Sequence, residues 1–353
     1  MKDLEETLAA IHGLDAPALR AAERRQARLT KPRGSLGALE RVAVRLAGIT
    51  HLERPRFARR VIVVAAASHG VAAEEEVSAY PASVTAQMVA NFVAGGAAIN
   101  VLADAAGAEL VVVDAGVEPE PASHPRLRRC RLGPGSRNLR RERALPPGHG
   151  RRIVEAGVAL VAELDTGGAP WLLALGEMGI GNTTASAAIV AAACAADVDQ
   201  VTGRGTLVND ARLARKREVV REALALHQPD PRDGFDLLES VGGYEIGFLA
   251  GCCLGAAARR VPVVLDGLIT GAAALVAAAI APACRDALIA GHRSVEPGHR
   301  VALDALGLEP LLDLDLRLGE GSGAALALSL VAAAARTLDE MATFEEAGVD
   351  ERA

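Results

Sequence analysis

Aromatic side chains are nearly missing from this chain: one Trp, two Tyr and five Phe serve 353 residues. A core of that size must be filled by Ala, Val and Leu on closely spaced helices and strands, and α/β layering meets that need. The length suits a large single domain, or a main domain with a smaller companion, with a substantial interior. A surplus of positive charge is also missing. The formal net charge is −6, and the basic residues are scattered apart from an arginine-rich stretch, Arg126 to Arg143, that reads as local surface. Nucleic acid is therefore not an expected partner.

Paired cysteines are lacking too. Cys130, Cys194, Cys252, Cys253 and Cys284 form no CxxC and no regular spacing, so the expectation is a reduced, cytoplasmic protein. The opening MKDLEETLAAIHGL reads as an acidic amphipathic helix, not a secretory leader. The uncharged run Gly267 to Cys284 holds only five Leu, Ile or Val residues and includes Pro282. It is expected as a buried helix and not a membrane span. Three common signatures are absent: GxxxxGK[ST], GxSxG, and GxGxxG after the first strand with an acid about 20 residues on. P-loop hydrolysis, α/β-hydrolase chemistry and dinucleotide redox chemistry lose their support accordingly.

From Arg60 onward a clear rhythm is present. Short apolar runs end in a glycine turn and lead into helical patterns: VIVVAAASHG, ELVVVDAG, LRRCRLGPGS, WLLALGEMG, VPVVLDG and ALIAGHRS. These runs predict a Rossmann-like, mostly parallel sheet with helices on both faces. Before them, the first ~55 residues carry two or three polar helices separated by Gly13, Pro17 and the turn KPRGSLG. The acidic tail from Arg336 is expected to close back onto them. The expected division is a helical cap, 1–58, joined by 336–353, and a catalytic body, 59–335. Ligands of such sheets gather at the carboxyl ends of the strands. The polar residues there are Ser68, His69, Asp114, Ser136, Glu177, Asp266 and the 292–296 turn.

Several segments carry chemistry. GEMGIGNTT, Gly176 to Thr184, offers backbone N–H groups and a helix N-terminus to an anion, although Asn182 and Thr183 serve equally as helix caps. Glu177 would repel a phosphate but suits a ribose hydroxyl. GRGT, Gly203 to Thr206, and Lys216 would bring more donors to the same anion, unless that lysine is merely solvated. The turn GHRSVEPGH, Gly291 to His299, tempts a metal reading, but no second His or Cys cluster completes a ligand set, so no metal is expected. Gln87, Asn91 and Asn100 suit a flat heterocycle, on which Tyr80 would stack; satisfied core polar groups are the alternative. In LGEGSGAALAL, Glu320 sits between two glycines before an apolar run. It reads either as a first-turn acid, with Ser322 as helix cap, or as an active-site carboxylate whose pKa is raised by a dry pocket.

In order from Lys31 to Leu328, KPRGSLGALE, SHGV, VSAYPASVTAQMVANFVAGGAAINVLA, DAGV, GPGSRN, GEMGIGNTTASAA, GRGT, GGYEIGFLAG, LDG, GHRSVEPGH and LGEGSGAALAL together resemble the nicotinate-nucleotide:dimethylbenzimidazole phosphoribosyltransferase family. One departure is Ser68, where the family has Asp before His-Gly. The resemblance implies a cytoplasmic, homodimeric enzyme of cobalamin lower-ligand synthesis that needs no cofactor. It would move the phosphoribosyl group of nicotinate mononucleotide to 5,6-dimethylbenzimidazole, giving α-ribazole 5′-phosphate and nicotinate. It further implies Glu320 as catalytic base and Glu177 as a second active-site carboxylate. Gly179, Gly205, Lys216, Asp266, Gly267 and Ser294 would hold the nucleotide, and Tyr80 and Gln87 would line the base pocket. A non-catalytic ribazole-binding protein, and a different acceptor such as adenine, another benzimidazole or a phenol, stay open at this level.

Overall fold

The computed structural model describes residues 4–205 and 208–350. The six apolar runs form six strands: β1 (Arg59–Ala67), β2 (Glu109–Gly116), β3 (Leu127–Arg129), β4 (Trp171–Met178), β5 (Val263–Leu265) and β6 (Leu288–Ala290). Their order is β3-β2-β1-β4-β5-β6, and every pairing is parallel. A separate parallel pair, β7 (His292–Arg293) and β8 (Leu312–Asp313), follows the last of them.

The strands are continuous apolar runs because both faces of the sheet are covered. Along β1, Val61, Val63 and Ala65 enter one core, while Ile62, Val64 and Ala66 enter the other. The first core is closed by the helices His149–Leu164, Asn182–Ala193, Tyr244–Ala258 and Leu268–Ile280. The second is closed by Ala38–Thr50, Val84–Ala94, Ala98–Ala105 and Ser322–Glu340. Without large aromatics, helices must approach backbone to backbone. A Cβ on Gly157 would strike the carbonyl of Phe248, and one on Gly251 would strike that of Val154. The uncharged run after Gly267 is a buried core helix, as its composition predicts. One stretch, 84–105, is long and apolar enough to cross a membrane by length and composition. In the fold it is two helices broken at Gly95, whose φ is +89°.

The chain-end helices are Leu4–Ala9, Ala16–Arg28 and Ala38–Thr50. Pro17 does not separate two of them but starts the second, where its missing N–H costs nothing. The tail returns to this helix. Arg25 donates to the carbonyls of Leu338 (2.6 Å), Asp339 and Met341 (both 3.1 Å), and Thr30 N donates to Ala342 O at 3.0 Å. The last long helix runs unbroken through position 336.

The chain leaves β1 toward β2 and β3, then returns to lay β4 on the other side of β1. That reversal opens a crevice at the strand carboxyl ends, where ligands of open parallel sheets bind.

Candidate active site

A cavity of about 720 Å³ lies at those strand ends. Glu177 from the end of β4, Asp266 and Gly267 after β5, His292 and Ser294 after β6, and Glu320 before the last long helix all line it. Gly179, Gly205 and Tyr80 join the wall. Asp114 and Ser136 do not. Asp114 accepts the N–H groups of Gly116 (3.0 Å) and Val117 (2.8 Å) and shapes its own turn. Ser136 Oγ lies 3.2 Å from His69 Nδ1, beneath the cavity floor. Ser68, at the position where the resemblance expects Asp, accepts Glu118 N at 2.9 Å and ties β1 to that turn.

Glu177 is buried and accepts a hydrogen bond from the Asn182 amide. Burial, reinforced by the charges of Asp266 and Glu245, pushes its carboxyl up to about 8. It therefore holds its proton at neutral pH. Asn182 thus serves Glu177 with its side chain, and the helix cap falls to Gly181.

Glu320 has φ +62° and stands between Gly319 at +83° and Gly321 at +90°. Three successive left-handed residues turn the chain tightly, and an L side chain persists there only when its surroundings hold it. They do: a Cβ on Gly176 of β4 would strike the carbonyl of Glu320, and one on Gly319 would meet Glu177 Oε1. The residue is 6% exposed, and its carboxyl accepts Ile99 N at 3.4 Å. Burial raises its pKa, the Asp266 charge adds to that, and the Ile99 N–H partly offsets it. Ser322 does not cap the helix; Gly321 is the N-cap residue, with no side-chain bond. Capping comes instead from Asp266, which accepts the N–H groups of Gly321, Gly323 and Ala324.

At the other end of the cavity, Gly205 has φ +52° and donates its N–H to Glu296 Oε1 at 2.7 Å. Lys216 is buried behind it and does not reach the cavity wall. Its Nζ donates to Thr183 Oγ1 (2.8 Å) and Gly203 O (3.1 Å). Burial brings its ammonium down to about 8, with Glu296 opposing the shift. Thr206, the last residue of the GRGT turn, lies outside the described residues. His299 accepts Ser294 N at 3.0 Å, and burial lowers its pKa to about 4.

Gln87 is exposed on the Val84–Ala94 helix. The wall there is made by Val84 and Met88, one helical turn apart. The sequence patterns did not single out Met88, Met178, Leu316 or Leu318, which belong to the apolar part of the wall. Glu296, which closes the 292–296 turn named from the sequence, also lines the cavity.

Strand order and crevice together define a doubly wound α/β protein that presents buried carboxyl groups where the order reverses. The chain belongs to the phosphoribosyltransferase family, whose model matches residues 11–349. It is 56% identical over 352 residues to the nicotinate-nucleotide–dimethylbenzimidazole phosphoribosyltransferase of Chloroflexus aggregans, covering 100% of this chain and 99% of that one. The protein of that name from Roseiflexus sp. strain RS-1 is 55% identical over 349 residues, covering 99% and 98%. A crystal structure of the Thermus thermophilus protein of that name superposes with a TM-score of 0.90 at 47% identity, covering 96% of this chain and 100% of that one.

Proposed function

We propose that this chain transfers the phosphoribosyl group of nicotinate mononucleotide to 5,6-dimethylbenzimidazole, releasing nicotinate and forming α-ribazole 5′-phosphate for the cobalamin lower ligand. The observation that carries this reading is Glu320: a buried carboxyl group with raised pKa, held in a left-handed turn at the wall of a crevice of about 720 Å³.

The chemistry needs such a group. Nicotinate in the mononucleotide is a pyridinium, so it leaves without protonation and no general acid is required. When one benzimidazole nitrogen attacks C1′, the other still carries a proton, and the ring becomes cationic unless a base removes it. Glu320 is that base, made stronger by burial than an exposed glutamate. Glu177, protonated at neutral pH, faces the ribose hydroxyls without adding charge against the phosphate. Gly179, Gly205, Gly267 and Ser294 hold the nucleotide, and Lys216 supplies positive charge from behind Gly205. Tyr80, with the apolar wall of Met88 and Leu318, takes the flat acceptor; the exposed Gln87 contributes only if a partner covers that face.

A homodimer is part of the proposal. Tyr80 and Leu318, each 56% exposed at the cavity wall, leave apolar surface for a second copy. The cytoplasmic setting is likewise proposed, supported by five unpaired cysteines. So is the division into a chain-end helical part and a sheet body. Incubation with nicotinate mononucleotide and a panel of bases, with product identified by mass, tests the reaction. Nicotinate release with a ribazole phosphate of the expected mass is the expected result. Binding without release would leave only a carrier, and preference for adenine or a phenol would change the acceptor.

A further inference from the structure

The carboxylate of Asp266 is turned toward protein amides. It sits at the end of β5, 1% exposed. Its Oδ1 accepts Gly323 N at 2.7 Å and Ala324 N at 3.1 Å, and its Oδ2 accepts Gly321 N at 3.2 Å. His292 Nε2 lies 3.3 Å from Oδ1 on the other side, and the His292 ring is wedged so closely that a Cβ on Gly323 would strike it. The three amides open the last long helix, where no intrahelical acceptor exists. Gly321 offers no side chain to cap them, so Asp266, 55 residues earlier in sequence, caps the helix from the neighbouring strand. Its charge also suits the positive end of that helix.

We propose that Asp266 is a positioning residue for this reaction, pinning the left-handed turn that presents the Glu320 carboxylate to the acceptor. The inference rests on the reading of Glu320 as the base. Glu320 immediately precedes the amides that Asp266 holds. Its φ of +62° needs constraint from both sides: Gly176 of β4 sets the position of its carbonyl, and Asp266 fixes the N–H groups that follow. The ionisable side chains around this point are Glu177 from β4, His292 from β7, His299 from the helix Pro297–Leu306 and Glu320 itself. The negative charge of Asp266 raises the proton affinity of both glutamates. Thus a residue that the family resemblance assigns to the nucleotide acts here through the base.

The test compares kinetics of the full chain with nicotinate mononucleotide and 5,6-dimethylbenzimidazole for Asp266→Asn, Glu320→Gln and the double variant. Asn is isosteric and keeps Oδ1 for two amides while placing an NH2 against Gly321 N–H. The expected result is a kcat at least about tenfold lower, with KM for the mononucleotide changed less than about threefold. The acid limb of kcat should move to lower pH, because a negative charge beside the base is gone. On the Glu320→Gln background, Asp266→Asn should add less than about threefold, since both act on one step. Faster amide exchange at 321–324 should accompany these changes. Asp266→Ser, which keeps one oxygen acceptor, carries the same test if the Asn variant fails to fold. A raised KM with unchanged kcat makes Asp266 a nucleotide ligand and overturns the proposal while Glu320 stands. Fully multiplicative losses overturn it as well. Normal turnover by Glu320→Gln removes the base assignment itself, and the positioning role with it.

Discussion

His69 Nε2 lies 2.7 Å from Glu245 Oε1, and solvent reaches neither side chain. His69 follows β1, Glu245 stands in the Tyr244–Ala258 helix, and Ser136 holds the other ring nitrogen. The ring also lies against Gly179 and Gly243, where an added Cβ would touch it. One contact thus fastens the first strand, the glycine turn after β4 and a core helix beneath the cavity. His69→Ala should leave the Glu245 carboxyl buried and unpaired, lowering stability by roughly 3 kcal/mol. Urea unfolding measures this, and an unchanged midpoint would show that the pair contributes nothing net.

Replacing the proposed base should spare the fold. Glu320→Gln is expected to lower kcat by ~10²–10⁴-fold with an unaltered circular dichroism spectrum. Because burial raises this carboxyl, wild-type turnover should fall with acidification through a value above the ordinary 4.5. A pH profile flat down to that value would contradict the assignment.

Glu177 links proton binding to stability with a definite sign. Its folded pKa of about 8 lies above the ordinary 4.5, so the folded protein binds a proton that the unfolded chain releases between those values. Stability is full below about 4.5 and declines as pH rises toward 8. Glu177→Gln, with no proton to lose, should flatten this decline. Denaturation midpoints at pH 5 and at pH 8 decide it: an equal fall in both proteins refutes the idea.

Lys216 is expected to act on binding. Lys216→Ala should raise KM for nicotinate mononucleotide by at least about tenfold while changing kcat less, since it removes attraction already present in the bound substrate. In the free enzyme the ammonium loses its proton as pH passes about 8, so kcat/KM should decline on the alkaline side. An unaltered KM in the variant places Lys216 outside the nucleotide site.

The sheet was legible because each strand is an apolar run closed by a glycine turn, and both periodicity and position follow from burial on two faces. Glu177, Asp266 and Glu320 were legible for the same reason: a polar group beside glycine at a strand or helix end stands out against Ala, Val and Leu. What each carboxyl group does was not. The capping of Gly321, Gly323 and Ala324 by Asp266 joins residues 55 to 58 apart, and no local pattern encodes it. Glu245 sits inside an apolar helix, and only its meeting with His69 explains it. Gln87 depends on helical phase. The segment TAQMVAN gives that phase no clear apolar stripe, so the choice between Gln87 and Met88 is settled only by how the helix docks.

The helix from Ser322 to Glu340 begins two residues after Glu320 and ends in the grip of Arg25. Nineteen residues make a rod of about 28 Å. Its far tip is anchored to the helix Ala16–Arg28, so strain applied near residue 340 is carried along a stiff lever to the turn that holds Glu320.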